Sequence, residues 1–158
     1  MTLTVGRLRS WRPEALSVAA AQLRVMVCAV DAQHDALAAQ FGGRLVADWT
    51  GPAARVASTH GAGRQASLTG TAEGLGACAI VLGAAAEALT AAKSTLAAAQ
   101  RVADSAGLVL HDDGHVSIPP ALLAVPRGDS HLDHLDRSVL VSTALARRAL
   151  TEAAEADR

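Results

Sequence analysis

The stretch LTGTAEGLGACAIVLGAAAEALTAAKSTLAAA, residues 68–99, decides the fold. Leu68, Leu75, Leu82, Leu89 and Leu96 recur every seven residues, and Thr71, Cys78, Ala85, Ala92 and Ala99 each follow by three. A repeat of 3.5 residues keeps one apolar stripe on one side of an α-helix, and pairing each large residue with a small one lets a second helix approach closely. The segment therefore reads as the core of a long second helix, about 52–106. Its early part is weaker. Gly61, Gly63, Gly70, Gly74 and Gly76 each cost about 1 kcal/mol relative to alanine in a helix interior, which predicts a kink or break near His60 to Gly63. Gly70 and Gly74 alternatively mark a close crossing with the first helix.

Upstream, Leu16, Ala20, Leu23, Val27, Val30, His34, Leu37 and Phe41 alternate in steps of four and three, the seam of a first helix spanning about 13–46. Pro13 suits its start. Gly42 and Gly43 weaken it, and Leu45 and Val46 suggest that it resumes. Asp48-Trp49-Thr50-Gly51-Pro52 reads as a turn, 48–52: Asp48 or Thr50 can cap the next helix, and Gly51 permits the reversal. Trp49 packs over helix ends as an anchor or docks a partner. At 1.5 Å per residue the first helix is about 50 Å long and the second about 80 Å, so the second overhangs and leaves Leu96, Val102 and Ala103 to be covered.

Downstream, Val-Leu-His and His-Val-Ser-Ile flank Asp112-Asp113-Gly114, a β-hairpin over 108–118. Pro119-Pro120 ends it, and Ala121 to Ser130 reads as a loop containing Pro126 and Gly128. A third helix, about 130–156, carries Leu132, Leu135, Val139, Ala146, Ala149 and Leu150, and its natural place is the overhang; homodimerisation could cover the same surface. The expected fold is all-α: a single domain, 1–158, built as an elongated antiparallel helical hairpin with a third C-terminal helix and a small β-hairpin between helices 2 and 3.

Composition narrows the function. Of 158 residues, 51% are hydrophobic and 2% aromatic, and 37 are alanine, so the apolar side chains are small and a large globular core is not expected. Lys plus Arg (14) nearly cancels Asp plus Glu (15), which leaves no footprint for nucleic acid; Arg7, Arg9, Arg12 and Arg24 read as a solvated face. Tyr and Asn are absent and Lys93 is the sole lysine, the residue usage of GC-rich coding sequence. Pro13, Gln22 and Arg24 interrupt the apolar stretch Ala15 to Val30, so no secretory leader is expected. The apolar run Leu75 to Ala86 is shorter than the roughly 20 residues a bilayer requires, so no membrane span is expected.

No nucleophile elbow, phosphate-binding glycine loop or dinucleotide fingerprint occurs, and a noncatalytic protein without cofactor is expected. The alternative is a metal-binding protein or metal-dependent enzyme. His111, Asp112, Asp113 and His115 crowd one turn, and His131, Asp133, His134 and Asp136 crowd the start of the third helix, so His111, His115, His131 and His134 are the candidate ligands. The bland reading is that the acids shape a turn and favour a helix start. Reversal about position 50 places Cys28 opposite roughly position 72, so Cys28 and Cys78 read as small buried thiols rather than a disulfide. His34 reads as a hydrogen-bonded core or interface histidine.

A long Ala-rich helix, the turn Trp49-Thr50-Gly51 and a second long Ala-rich helix resemble the WXG family of helical-hairpin proteins exported by type VII (ESX-like) secretion in actinobacteria. Met-Thr-Leu-Thr-Val at the start, Trp11-Arg-Pro-Glu-Ala-Leu and Asp112-Asp113-Gly114-His-Val-Ser-Ile-Pro-Pro further resemble the helical N-terminal domain that precedes α/β-hydrolase or effector regions in mycobacterial proteins. The resemblance implies a coiled-coil hairpin that pairs with itself as a dimer or with a paralogous helical-hairpin protein, contacts the secretion machinery, and resides in the cytoplasm before export. Trp49 and Gly51 would be its turn motif, and Leu23, Val27, Val30, Leu37, Phe41, Leu68, Leu75, Leu82, Leu89 and Leu96 its interaction seam. The usual Tyr-x-x-x-Asp/Glu export signal is missing because the chain has no Tyr, so a partner supplies it or the protein is not exported. A secretion chaperone or antitoxin-like adaptor is the further alternative.

Overall fold

The computed structural model describes residues 3–42, 49–124 and 129–157. The expectations for Gly43, Leu45, Val46, Asp48, Pro126 and Gly128, and for the side chain of Phe41, lie outside the described residues. The order of elements is α1 (Val5–Ser10), α2 (Pro13–Gly42), α3 (Pro52–Ser105), β1 (Val109–Leu110), β2 (Val116–Ser117), α4 (Pro120–Leu123) and α5 (Asp129–Ala156). Among the described residues the chain is all-α apart from one two-stranded antiparallel sheet. Two compact units partition it, one comprising Ala15–Gly83 and the other Met1–Glu14 with Ala84–Arg158.

In the first unit α2 buries Ala20 and half-buries Leu16, Leu23, Val27, Val30, His34 and Leu37. The early half of α3 buries Ala54, Gly61 and Ala79, with Leu68, Leu75 and Leu82 half-buried. Helical backbone continues through His60 to Gly63, so the expected break is absent. Gly70 and Gly74 have nothing within 4 Å of a built Cβ, so neither marks a close crossing. Cys28 and Cys78 are free and exposed, not buried. The seam explains this correction: Cys28 sits one residue past Val27 on the outer side of α2, and the small residue actually buried after Leu75 is Ala79, not Cys78.

The second unit is better packed. Along the later half of α3, Leu89, Leu96 and Ala103 are buried together with Ala92 and Ala99, which are wholly inaccessible. The helix then ends in a Schellman motif: Leu108 N–H donates to Ala103 O (2.8 Å), Gly107 N–H donates to Asp104 O (3.1 Å), and Gly107 adopts φ +68°. This turn aims β1 back across the helix end. β1 pairs with β2 in the register Val109 with Ser117 and Leu110 with Val116. Ala103, Leu108, Val116 and Leu135 form a core, against which Ala106, Leu110, Ile118, Leu122 and Val139 pack.

α5 touches both β2 and α1. Its buried line is Leu135, Ser138, Ser142, Ala146, Ala149 and Ala153. Traced back by four residues, that line reaches the half-buried His131, which is why Leu132, expected on the apolar face, is 44% exposed instead. Two serines can lie on this line because each hydroxyl bonds the preceding turn: Ser142 Oγ donates to Ser138 O and Ser138 Oγ to His134 O. Two short helices depart from the expected plan. α1 precedes the first long helix and seats Leu8 at 0% exposure, and α4 occupies part of the expected loop.

Two helices satisfy the length and apolarity of a membrane span: 18-residue windows within Pro13–Gln40 and Pro52–Ser105 reach mean hydropathy 1.5 and 1.8. The apolar run ending at Ala86 is short, but alanines beyond Glu87 extend the apolar character of the helix.

Candidate functional site

The acid and histidine cluster at the β-hairpin tip holds structure together. α1 is too short to be stable alone, since its first N–H groups have no partner within the helix. Here each has one. Val5 N–H donates to Asp112 O (2.8 Å), Gly6 N–H to Asp112 Oδ1 (2.6 Å) and Arg7 N–H to Thr4 Oγ1 (3.3 Å). Asp112 thus caps a helix more than a hundred residues away in sequence. Asp112→Ala is expected to destabilise the chain by about 1–2 kcal/mol, read as a lower urea midpoint; an unchanged midpoint would remove the capping role.

Asp113 shapes the turn itself, its Oδ1 accepting the His115 N–H at 2.9 Å. That hydrogen bond holds its carboxyl below the ordinary aspartate value against the opposing effect of desolvation, with lesser help from the charges of His115 and His111. A carboxyl whose pKa falls on folding contributes stability above its unfolded pKa and loses it as pH drops through the folded one. The contribution therefore survives mild acid. The His111 and His115 rings stack at 6.0 Å between centroids and 16° between planes, and His111 Nε2 lies 2.7 Å from Ser117 Oγ.

His131 and His134 lie on the first turns of α5, half-buried and exposed respectively. Among the described residues no group of three or more His, Cys, Asp or Glu side chains is placed to hold a metal ion. The sequence clusters therefore do not merge into a ligand set. One pair follows the hairpin and the other the helix, and Asp112 and Asp113 beside the hairpin pair are used on backbone N–H groups.

The C-terminal end of α1 is held by the sole lysine. Lys93 Nζ donates to Trp11 O (2.7 Å) and Arg9 O (3.2 Å), while Arg9 Nη2 donates to Gln100 Oε1 (2.5 Å). Arg9, Lys93, Leu96, Ala97 and Gln100 line an open cavity of about 300 Å³. Arg7 lies over the Trp11 ring at 5.9 Å. Of the arginines expected on a solvated face, Arg9, Arg12 and Arg24 are exposed, but Arg7 is half-buried against Trp11. The available signal was Thr4 ahead of Val5 and Leu8, a cap followed by an i,i+3 apolar pair.

Trp49 is 48% exposed, ahead of the first turn of α3. Gly51 has φ +104°, accepts the Arg55 N–H and has nothing within 4 Å of a built Cβ, so it serves backbone conformation rather than close approach. His34 Nδ1 lies 3.6 Å from Asp35 Oδ1, its immediate neighbour in sequence. Gln33 and Leu37 of α2 line a cavity of about 290 Å³ with Arg64, Ser67 and Leu68 of α3, and Arg24 Nη2 would lie 3.2 Å from a Cβ on Gly83. No protein-family model, curated protein or solved structure matches this chain.

Proposed function

We propose that the chain is a noncatalytic protein–protein interaction module related to the helical-hairpin proteins of type VII secretion, with α2 and α3 as antiparallel arms. Gln33 and Leu37 of α2 line one cavity with Arg64, Ser67 and Leu68 of α3, and Arg24 lies against Gly83, so later positions on α2 stand beside earlier ones on α3, the reciprocal run that antiparallel pairing produces. The observation that carries the functional reading is the exposed apolar surface of α2, whose most apolar window is only 6% buried. Val18, Val25 and Met26 on α2 are 56%, 70% and 52% exposed. Unpartnered apolar surface of this kind marks a binding face. The partner is a second copy or a paralogous hairpin, and because the chain lacks Tyr, export through a type VII pathway would require that partner to supply the signal.

Light-scattering mass of the purified chain, alone and mixed with the protein encoded beside it, tests the reading. A homodimer or a one-to-one complex is expected. A chain that stays monomeric, ignores that protein and instead sediments with phosphatidylglycerol vesicles would replace the module with a membrane-binding protein. Elemental analysis that finds stoichiometric metal would favour the metal-binding alternative.

A further inference from the structure

We propose that the open cavity between α1 and α3 is a binding site for the anion of a medium-chain fatty acid. This goes beyond the interaction-module reading and does not rest on it, since every lining residue belongs to the unit that contains α1 and the later half of α3. Arg9, Lys93, Leu96, Ala97 and Gln100 enclose about 300 Å³. At about 30 Å³ for each water, that is room for about ten waters or for a ligand of about ten heavy atoms.

Two of the lining residues are cations and none is an acid. Among the described residues neither Arg9 nor Lys93 is paired with a carboxylate. Lys93 Nζ directs two of its three N–H donors to Arg9 O and Trp11 O, and Arg9 directs one of its five to Gln100 Oε1. The Gln100 amide stands between Arg9 and Asp104: its Oε1 accepts from Arg9 while its Nε2 donates to Asp104 Oδ1 at 2.6 Å, so the acid does not pair with the guanidinium directly. Arg101 Nε, 3.4 Å from Ala97 O, adds a third cation beside that wall. The remaining donors on Lys93 and Arg9 match the two oxygens of a carboxylate, and the positive charge there has no counter-ion of its own.

The rest of the wall is hydrocarbon. Leu96 is 3% exposed, Ala97 offers only a methyl group, and the stems of Arg9, Lys93 and Gln100 complete the lining. Small-molecule sites combine such an apolar wall with a few oriented polar groups. A compact polar anion such as inorganic phosphate would leave the apolar wall in water, and an uncharged alcohol would leave the cations unmatched. A carboxylate with an unbranched tail uses both. At about ten heavy atoms that ligand is octanoate.

The test titrates the full chain with sodium octanoate, by calorimetry and by backbone amide NMR. Saturable one-to-one binding is expected, with shifts at Leu96, Ala97 and Gln100 and none at Gln33, Leu37 and Ser67, which line the other cavity. Arg9→Gln should weaken binding by about tenfold or more, while Arg12→Gln, at an exposed arginine outside the lining, should stay within about threefold. Ala97→Phe fills the cavity and should abolish binding. Arg9 and Ala97 are both exposed, and unchanged circular dichroism establishes that folding is intact; Lys93 is left in place because it also holds α1. Octanol, acetate and inorganic phosphate should each bind more weakly than octanoate by about tenfold or more. Binding that does not saturate, an Arg9→Gln chain that binds as well as the original, or octanol or phosphate bound as tightly as octanoate overturns the site. N-acetylleucine bound as tightly as octanoate would assign the cavity to the C-terminus of a peptide and overturn the fatty-acid reading. None of these readouts involves a protein partner, so their failure leaves the interaction-module reading standing.

Discussion

Gly114→Val is expected to destabilise the chain by about 3 kcal/mol or more, two costs acting at one atom. Gly114 closes the β-hairpin turn with φ +82°, where an L side chain is strained. A Cβ built there would lie 3.0 Å from Leu150 Cδ1 and 3.7 Å from the Ala146 Cβ, because the buried turn packs directly on α5. The Leu150 methyl can yield, but the α5 backbone behind it cannot easily follow. Urea denaturation should show the loss, and a thermal midpoint lower by roughly 6–12 °C should accompany it. Adding Leu150→Ala should relieve the contact and leave the backbone strain, so part of the loss returns. A Gly114→Val chain within about 1 kcal/mol of the original would mean that the turn does not pack on α5.

Leu135→Ala should cost about 3 kcal/mol. Leu135 is 1% exposed and joins the end of α3 to the hairpin through Ala103, Leu108 and Val116. Its removal leaves a cavity among Ala103, Leu108 and Val116, which are already packed and can close it only in part. Leu135→Met, which nearly conserves volume, should cost less than about 1.5 kcal/mol. Leu132→Ala, three residues earlier, should change stability by no more than about 0.5 kcal/mol because that side chain is 44% exposed. Equal losses at 132 and 135 would place the buried line of α5 where the apolar pattern alone suggests it.

That contrast shows what an apolar pattern can and cannot say. Leu132 and Leu135 are indistinguishable by type, and spacing admits both. The structure separates them because the line that continues from Leu135 runs through Ser138 and Ser142, residues a hydrophobicity count skips. The thiols are a similar case: Cys28 and Cys78 sit near seams, yet both are exposed. On a helix, one position changes the direction of a side chain by about 100°.

The candidate site was legible to a different degree. Asp112-Asp113-Gly114 read as a tight turn, and Gly114 and Asp113 act there locally. Nothing near Asp112 announces that its carboxylate reaches Gly6, because the bond joins residues 106 apart. The histidine pairs looked like ligands by crowding in sequence. Crowding in a hairpin and in a helix start is set by the local chain and carries no requirement that the two meet.

The sequence by itself determined the long helices and the hairpin between α3 and α5, because heptad spacing, an Asp-Gly turn and paired prolines act over a few residues and need no distant partner. Only the tertiary structure decided that residues 5–10 form a helix, that Asp112 and Lys93 close its two ends, and which stripe of α2 remains uncovered. A six-residue helix has too few internal hydrogen bonds to offset the entropy of ordering it, so its existence depends on caps and on the burial of Leu8 contributed by residues some 80 to 110 positions away.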